Sequence, residues 1–132
     1  MPIAEIKIGT KAAGKIFDPA ITGMLLDRMT EDINEELADQ GLFLLQMRLD
    51  RVLQNHTGYY QSRLKINRQG ADRVITDSNI VYGPWLEGTS FRNQATRFKG
   101  YHSFRTVGRQ LDQKKVELAR PIVDRFIMEM NS

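Results

Sequence analysis

Apolar and polar positions alternate at the start of the chain. Ala4, Ile6 and Ile8 are separated by Glu5 and Lys7, which predicts a short strand. Asp18-Pro19 then carries a helix-start signature: a carboxylate that can cap free N–H groups, followed by proline at the first helical position. From there Ile21, Leu25, Ile33, Leu37, Leu44, Leu45, Leu49, Val52 and Leu53 keep an apolar stripe to about Asn55. That stripe predicts one long helix, roughly 50 Å at 1.5 Å per residue. Gly41 interrupts it and marks a bend or a close contact. A helix so long beside so small a core is expected to project in part and touch another molecule. His56-Thr57-Gly58 ends it.

Beyond that stop, Tyr60, Ser62, Leu64 and Ile66 alternate with Gln61, Arg63, Lys65 and Asn67, the pattern of a strand with one wet face. Gln69-Gly70-Ala71-Asp72 turns the chain. Residues 73–76 and 80–86 read as two strands joined by Asp77-Ser78-Asn79 in a tight hairpin, with Pro84 placing the second at a sheet edge. Periodicity then stops for residues 88–100. Phe104, Val107, Leu111, Leu118, Ile122, Phe126 and Met130 predict a C-terminal helix that Pro121 should kink or split. The expected fold class is α+β: a small antiparallel sheet packed with one long N-terminal helix and a C-terminal helix, and a long loop after the last strand. It forms a single domain, 1–132, in which residues 1–17, with the loose basic run at 9–15, make a mobile N-terminal segment.

Composition narrows the chemistry more than the fold. With 132 residues there is room for one domain and a modest core. The absence of cysteine excludes a disulfide framework and a Cys-based zinc site. No apolar run approaches the ~18 residues that span a membrane, and the first residues lack the apolar core of a signal peptide. A protein made and kept in a cytoplasm, or built into something assembled there, is the expectation. The net charge of +3 is unevenly spread: residues 1–50 hold five Lys/Arg against nine Asp/Glu (−4), residues 51–91 five against three (+2), and residues 92–132 nine against four (+5). Either these are solvated helix faces, or acidic and basic parts attract each other within one chain or between neighbours.

Catalytic patterns are missing from the sequence. His56 and His102 have no ligand-spaced partner and read as helix-end or surface residues. There is no phosphate-cradling glycine loop, nucleophile elbow or paired-carboxylate signature, so no catalytic residue, cofactor or metal is assigned; a small enzyme with an unrecognised site stays a competing reading beside the expectation of no enzyme activity. Glu31, Asp32, Glu35 and Glu36 cluster on the long helix as a solvated face. Glu87 precedes a loop holding Arg92, Arg97 and Lys99. It could anchor that loop by a charge-assisted hydrogen bond or stand exposed at a strand end. The loop admits three readings. Phe91 and Phe98 fold back onto the core; the Arg/aromatic mix binds single-stranded nucleic acid; or the loop is a protein interface, where Arg and aromatics concentrate.

Three elements, in order, carry a family likeness. They are His56-Thr57-Gly58-Tyr59-Tyr60 leading into Ser62-Arg63-Leu64, then Ser78-Asn79 with Ile80-Val81-Tyr82, then Trp85-Leu86-Glu87-Gly88-Thr89. Over roughly residues 50–105 the chain resembles the tail-completion, or neck, proteins of long-tailed bacteriophages. Two departures stand out: Gly83 occupies a position where alanine is usual, and Glu87 directly precedes Gly88 with no intervening residue. Arg97-Phe98-Lys99-Gly100-Tyr101 resembles the actinobacteriophage-type branch.

The resemblance implies a structural virion protein of the neck, assembled in the host cytoplasm. It would form a ring, commonly of six, coupling the head connector to the tail. Its partners would be other copies of itself, a head-side connector or stopper protein, and a tail terminator or tail tube protein. Genomic DNA would pass through without sequence-specific contact, and no membrane is involved. The expected interface comprises Trp85, Glu87, Phe91, Arg92, Arg97, Phe98, Lys99, Tyr101 and Arg105, on a loop mobile in the free subunit and ordered in the assembly. Alternatives are a tail terminator or head-completion protein, or a non-sequence-specific nucleic-acid-binding protein, which the pI of about 9.3 and the basic segment 92–115 would suit.

Overall fold

Ile6, Ile75 and Ile66 stand side by side on one face of a three-stranded antiparallel sheet. The computed structural model describes residues 4–9, 19–53 and 58–130, with side chains described for 4–9, 23–53 and 58–129. The sheet has the order β1-β3-β2, from β1 (Glu5–Ile8), β2 (Lys65–Gln69) and β3 (Asp72–Thr76). Central β3 pairs Ile75 with Ile6 on one side and with Ile66 on the other. Gly70 and Ala71 join β2 to β3, with Gly70 at φ 61°. The fold class is α+β, as the hydrophobic pattern leads one to expect.

One face of this sheet is covered by α1 (Pro19–Val52) and α5 (Ser103–Met130). Met29, Ile33, Leu37, Ala38, Leu45 and Leu49 on α1 join Ile6, Ile8 and Ile75 of the sheet and Phe104, Val107, Leu111 and Phe126 of α5 in one core. Gly41 sits where all three layers meet. A Cβ there would lie 2.7 Å from Ile75 Cδ1 and 2.8 Å from Leu111 Cδ1, so the residue marks a close contact. Asn34, fully buried on α1, donates from Nδ2 to the Ala71 carbonyl at 2.9 Å and fastens the β2–β3 turn to the helix. Pro121 does not split α5. Both it and Glu117, whose carbonyl loses a partner, are exposed, so water can take the freed group.

One sequence expectation fails before β2, and one fails between β3 and α5. Tyr60 to Ser62 do not extend a strand: Tyr59–Ser62 form a helical turn, α2, entered through Gly58 at φ 83°. Residues 80–86 are not a strand either. Ser78 and Asn79 take left-handed backbone (φ 63° and 59°), and the chain leaves the sheet. Gly83–Glu87 then form α3, where Pro84 lies in the first turn and its missing N–H is no loss. Of the alternation over residues 60–67 only the part from Lys65 on is strand, because a short alternating run does not by itself separate a strand from a helical turn. Of the segment 1–17, only 4–9 are described, and Glu5–Ile8 are held in the sheet. His56 and Thr57 lie outside the described residues.

Candidate functional site

Residues 88–100 were expected to be mobile in the free subunit, but a dense set of contacts ties them down. Their two ends touch. Gly88 (φ 101°) and Gly100 (φ 95°) abut so closely that a Cβ on Gly100 would lie 2.3 Å from Gly88 Cα, and left-handed backbone there favours glycine anyway. The Tyr101 N–H donates to the Leu86 carbonyl at 2.7 Å and closes the loop. Inside it, Phe91–Ala95 form a short helix, α4. Ser90 Oγ accepts from the Arg92 N–H, while Asn93 Oδ1 accepts from the Ser90 N–H at 2.9 Å. The Asn93 amide also donates to the carbonyls of Trp85 and Phe98, both at 3.1 Å. Buried Asn93 therefore joins the entry, middle and exit of the loop, which is why a segment without apolar periodicity still has a fixed shape.

The two phenylalanines part company. Phe98 packs between Trp85 and Tyr101, with ring centroids 4.9 and 5.0 Å apart. The Tyr101 carbonyl in turn accepts from Arg48 of α1 at 2.9 Å. Phe91, the first residue of α4, is 84% exposed. Arg92 and Arg97 are exposed beside it in sequence. Lys99 Nζ donates to the Asn93 and Gln94 carbonyls near the end of α4, so its charge is used inside the loop. Val81, 93% exposed on the turn before α3, adds a second protruding apolar residue.

Glu87 does not stand exposed at a strand end, and the donors it meets are backbone N–H groups of α5 rather than the loop's cations. It is buried at the end of α3, and its two oxygens accept the backbone N–H groups of Phe104 (2.8 Å) and Arg105 (3.0 Å). Those are free donors in the first turn of α5, which a residue just ahead of the helix ordinarily satisfies. His102 holds that place at φ 53°, and its carbonyl accepts the first intrahelical bond from Thr106. Burial pushes the Glu87 carboxyl above its ordinary 4.5, while the two N–H groups and the nearby His102 and Arg105 pull it back. Arg105, at the same helix start, keeps an exposed side chain.

No family model matches the chain, and no curated protein or solved structure matches it either. The chemistry must therefore be read from the residues themselves. Among the described residues no group of three or more His, Cys, Asp or Glu is placed to hold a metal ion. No helix is long and apolar enough to cross a membrane, again among the described residues. Of the acidic cluster on α1, Glu31 meets Arg73 at 3.3 Å as well as Arg68, and Asp32 meets Arg125 at 2.8 Å.

Of the sequence-predicted site residues, Trp85, Phe98 and Tyr101 form the ring cluster that supports the loop, and Glu87 and Lys99 are structural. Phe91, Arg92, Arg97 and Arg105 are exposed. Sequence reasoning missed Asn93, Arg48 and the buried pair Tyr60–Asp77, whose phenol donates to Asp77 Oδ2 at 2.8 Å. Ser90 three residues before Asn93 was a legible signal, the spacing of a reciprocal helix cap. Burial, reinforced by that bond to Asp77, pushes the Tyr60 phenol above its usual range.

Proposed function

We propose that the protein is a structural component of the head–tail joint of a long-tailed bacteriophage. Copies of the chain form a ring, six in number, that couples the head connector to the tail and lets DNA pass. One observation carries the reading. A loop fixed by its own hydrogen bonds holds Phe91 84% exposed, with Arg92 and Arg97 exposed on the same loop. A rigid segment that presents an aromatic and cations loses little freedom on docking, which suits a permanent protein contact. The order of the three motifs quoted above supports the same reading.

The test is genetic. Phage particles made without this chain are expected to accumulate as filled heads and separate tails. Wild-type chain restores joining; a Phe91→Ser, Arg92→Ser, Arg97→Ser variant does not. Joined, infective particles in the absence of the chain would overturn the proposal.

A further inference from the structure

Glu35, Asp39, Phe43 and Met47 follow one another at four-residue spacing along the outer side of α1 and form one exposed stripe. Phe43 is 58% exposed and Met47 55%, although neighbouring turns of the same helix bury their apolar residues. Glu35 and Asp39 make no ion pair among the described residues, unlike Glu31 and Asp32 one turn earlier. The stripe is thus acidic at one end and apolar at the other; its acidic end lines a groove that also holds Arg28, Arg68 and Arg73 of the same chain, but neither Glu35 nor Asp39 pairs with them among the described residues.

The complement lies elsewhere on the molecule. Between β1 and the first half of α5 runs a groove of about 320 Å³. Its charged lining is Lys7, Arg105, Arg109 and Lys115 against Asp112, four cations to one acid, or +3. Lys7 leans to Glu5 at 3.7 Å, while Arg105, Arg109 and Lys115 have no ion pair among the described residues. Ile6, Ile8 and Leu111 give the groove an apolar floor. The strand that forms its wall is a sheet edge, paired only to β3 among the described residues. The two features match in length. The twelve steps from Glu35 to Met47 rise roughly 18 Å, and the ten from Arg105 to Lys115 roughly 15 Å.

We propose that the α1 stripe of one copy docks into the β1–α5 groove of a second copy. Glu35 and Asp39 meet Arg109 and Lys115, and Phe43 and Met47 cover the apolar floor. The contact is heterologous, because the donor face and the acceptor groove are different surfaces of one chain; repeated, it gives a ring or an open filament. Closure as a ring rests on the function proposed above. The contact itself rests only on charge, exposure and length. Exposed charge pairs contribute little singly and are screened by salt, so association is expected to weaken as salt rises while the apolar end sustains the remainder.

A charge swap tests it. One variant carries Glu35→Lys and Asp39→Lys; the other carries Arg109→Glu and Lys115→Glu. All four side chains are exposed, and unchanged thermal unfolding of each variant checks that both fold. Sedimentation velocity of the full chain at low salt should show wild-type self-association, and each variant alone should associate at least roughly tenfold more weakly. An equimolar mixture should recover association, since each variant then meets opposite charge on both faces; copies alternate, so any closed ring holds an even number. Three results overturn the proposal: wild-type chain that stays monomeric, variants that associate like wild type, or a mixture that fails to recover. Loss of duplex DNA binding as the sole effect of the groove variant also overturns it and marks the groove as a nucleic-acid surface. The swap reads the free chain and the genetic test reads particles, so either proposal can fail while the other stands.

Discussion

Glu87 accepts the backbone N–H of Phe104 at 2.8 Å from 17 residues upstream, and so one short helix caps the start of another. The bond fixes α5 against α3 and clamps the intervening loop at its neck. Sequence, local structure and surface are linked here: removing one carboxylate should loosen a helix end, a core residue and the loop together.

Glu87→Ala is expected to cost roughly 2–3 kcal/mol, because two N–H groups at the start of α5 lose their shared acceptor. That lowers the melting temperature by roughly 5–10 °C for a domain of this size. Glu87→Gln keeps one acceptor oxygen and should cost less, roughly 1 kcal/mol. Thermal unfolding followed by circular dichroism checks both. Unchanged melting of the alanine variant would contradict the capping role.

The pH dependence has a definite sign. Burial holds the proton on Glu87 to higher pH in the folded chain than in the unfolded one, whose value is near 4.5. The stability that Glu87 contributes is therefore full below that unfolded value and declines as pH rises through the raised folded value. The stability difference between wild type and Glu87→Ala, from urea unfolding, should be larger near about pH 4 than near about pH 7. An equal or greater difference at the higher pH would count against it.

Gly83 has no room for a side chain. A Cβ would lie 1.8 Å from Asp77 Oδ2, the atom that accepts from the Tyr60 hydroxyl. Gly83→Ala should cost roughly 1–3 kcal/mol as an overpacked site. In an Asp77→Ala background the added cost should shrink, since the obstructing oxygen is gone. A double-mutant cycle in urea measures the coupling, and strict additivity would refute the account.

The two loop phenylalanines should separate stability from assembly. Phe98→Ser removes the middle of the Trp85–Phe98–Tyr101 cluster and is expected to cost roughly 2–3 kcal/mol. Phe91→Ser should change stability by less than about 0.5 kcal/mol, as an exposed substitution does. If Phe91→Ser unfolds the chain or joins particles normally, the contact surface is misplaced.

Long-range periodicity made the two helices, strand β1 and the turn at Gly70 legible, because each rests on repeated apolar spacing or on a residue with one conformational use. The region 77–102 was not legible. Its shape depends on single polar side chains, Asp77, Glu87 and Asn93, which meet backbone groups up to 18 residues away and leave no periodic trace. The identity of Glu87 as an anchor could be suspected from its place before a basic loop. Its actual partners, two backbone N–H groups of α5, carry no sequence signature. Phe91 and Phe98 looked equivalent in composition and differ only through their places around α4.

Electron-microscopy class averages of joined particles test the central claim most directly. The account predicts density for this chain as a closed ring at the head–tail joint, six-fold and with an open channel, with the α1 face of each copy against its neighbour. A single copy, or a two-fold dimer with the same surface on both sides, would contradict it.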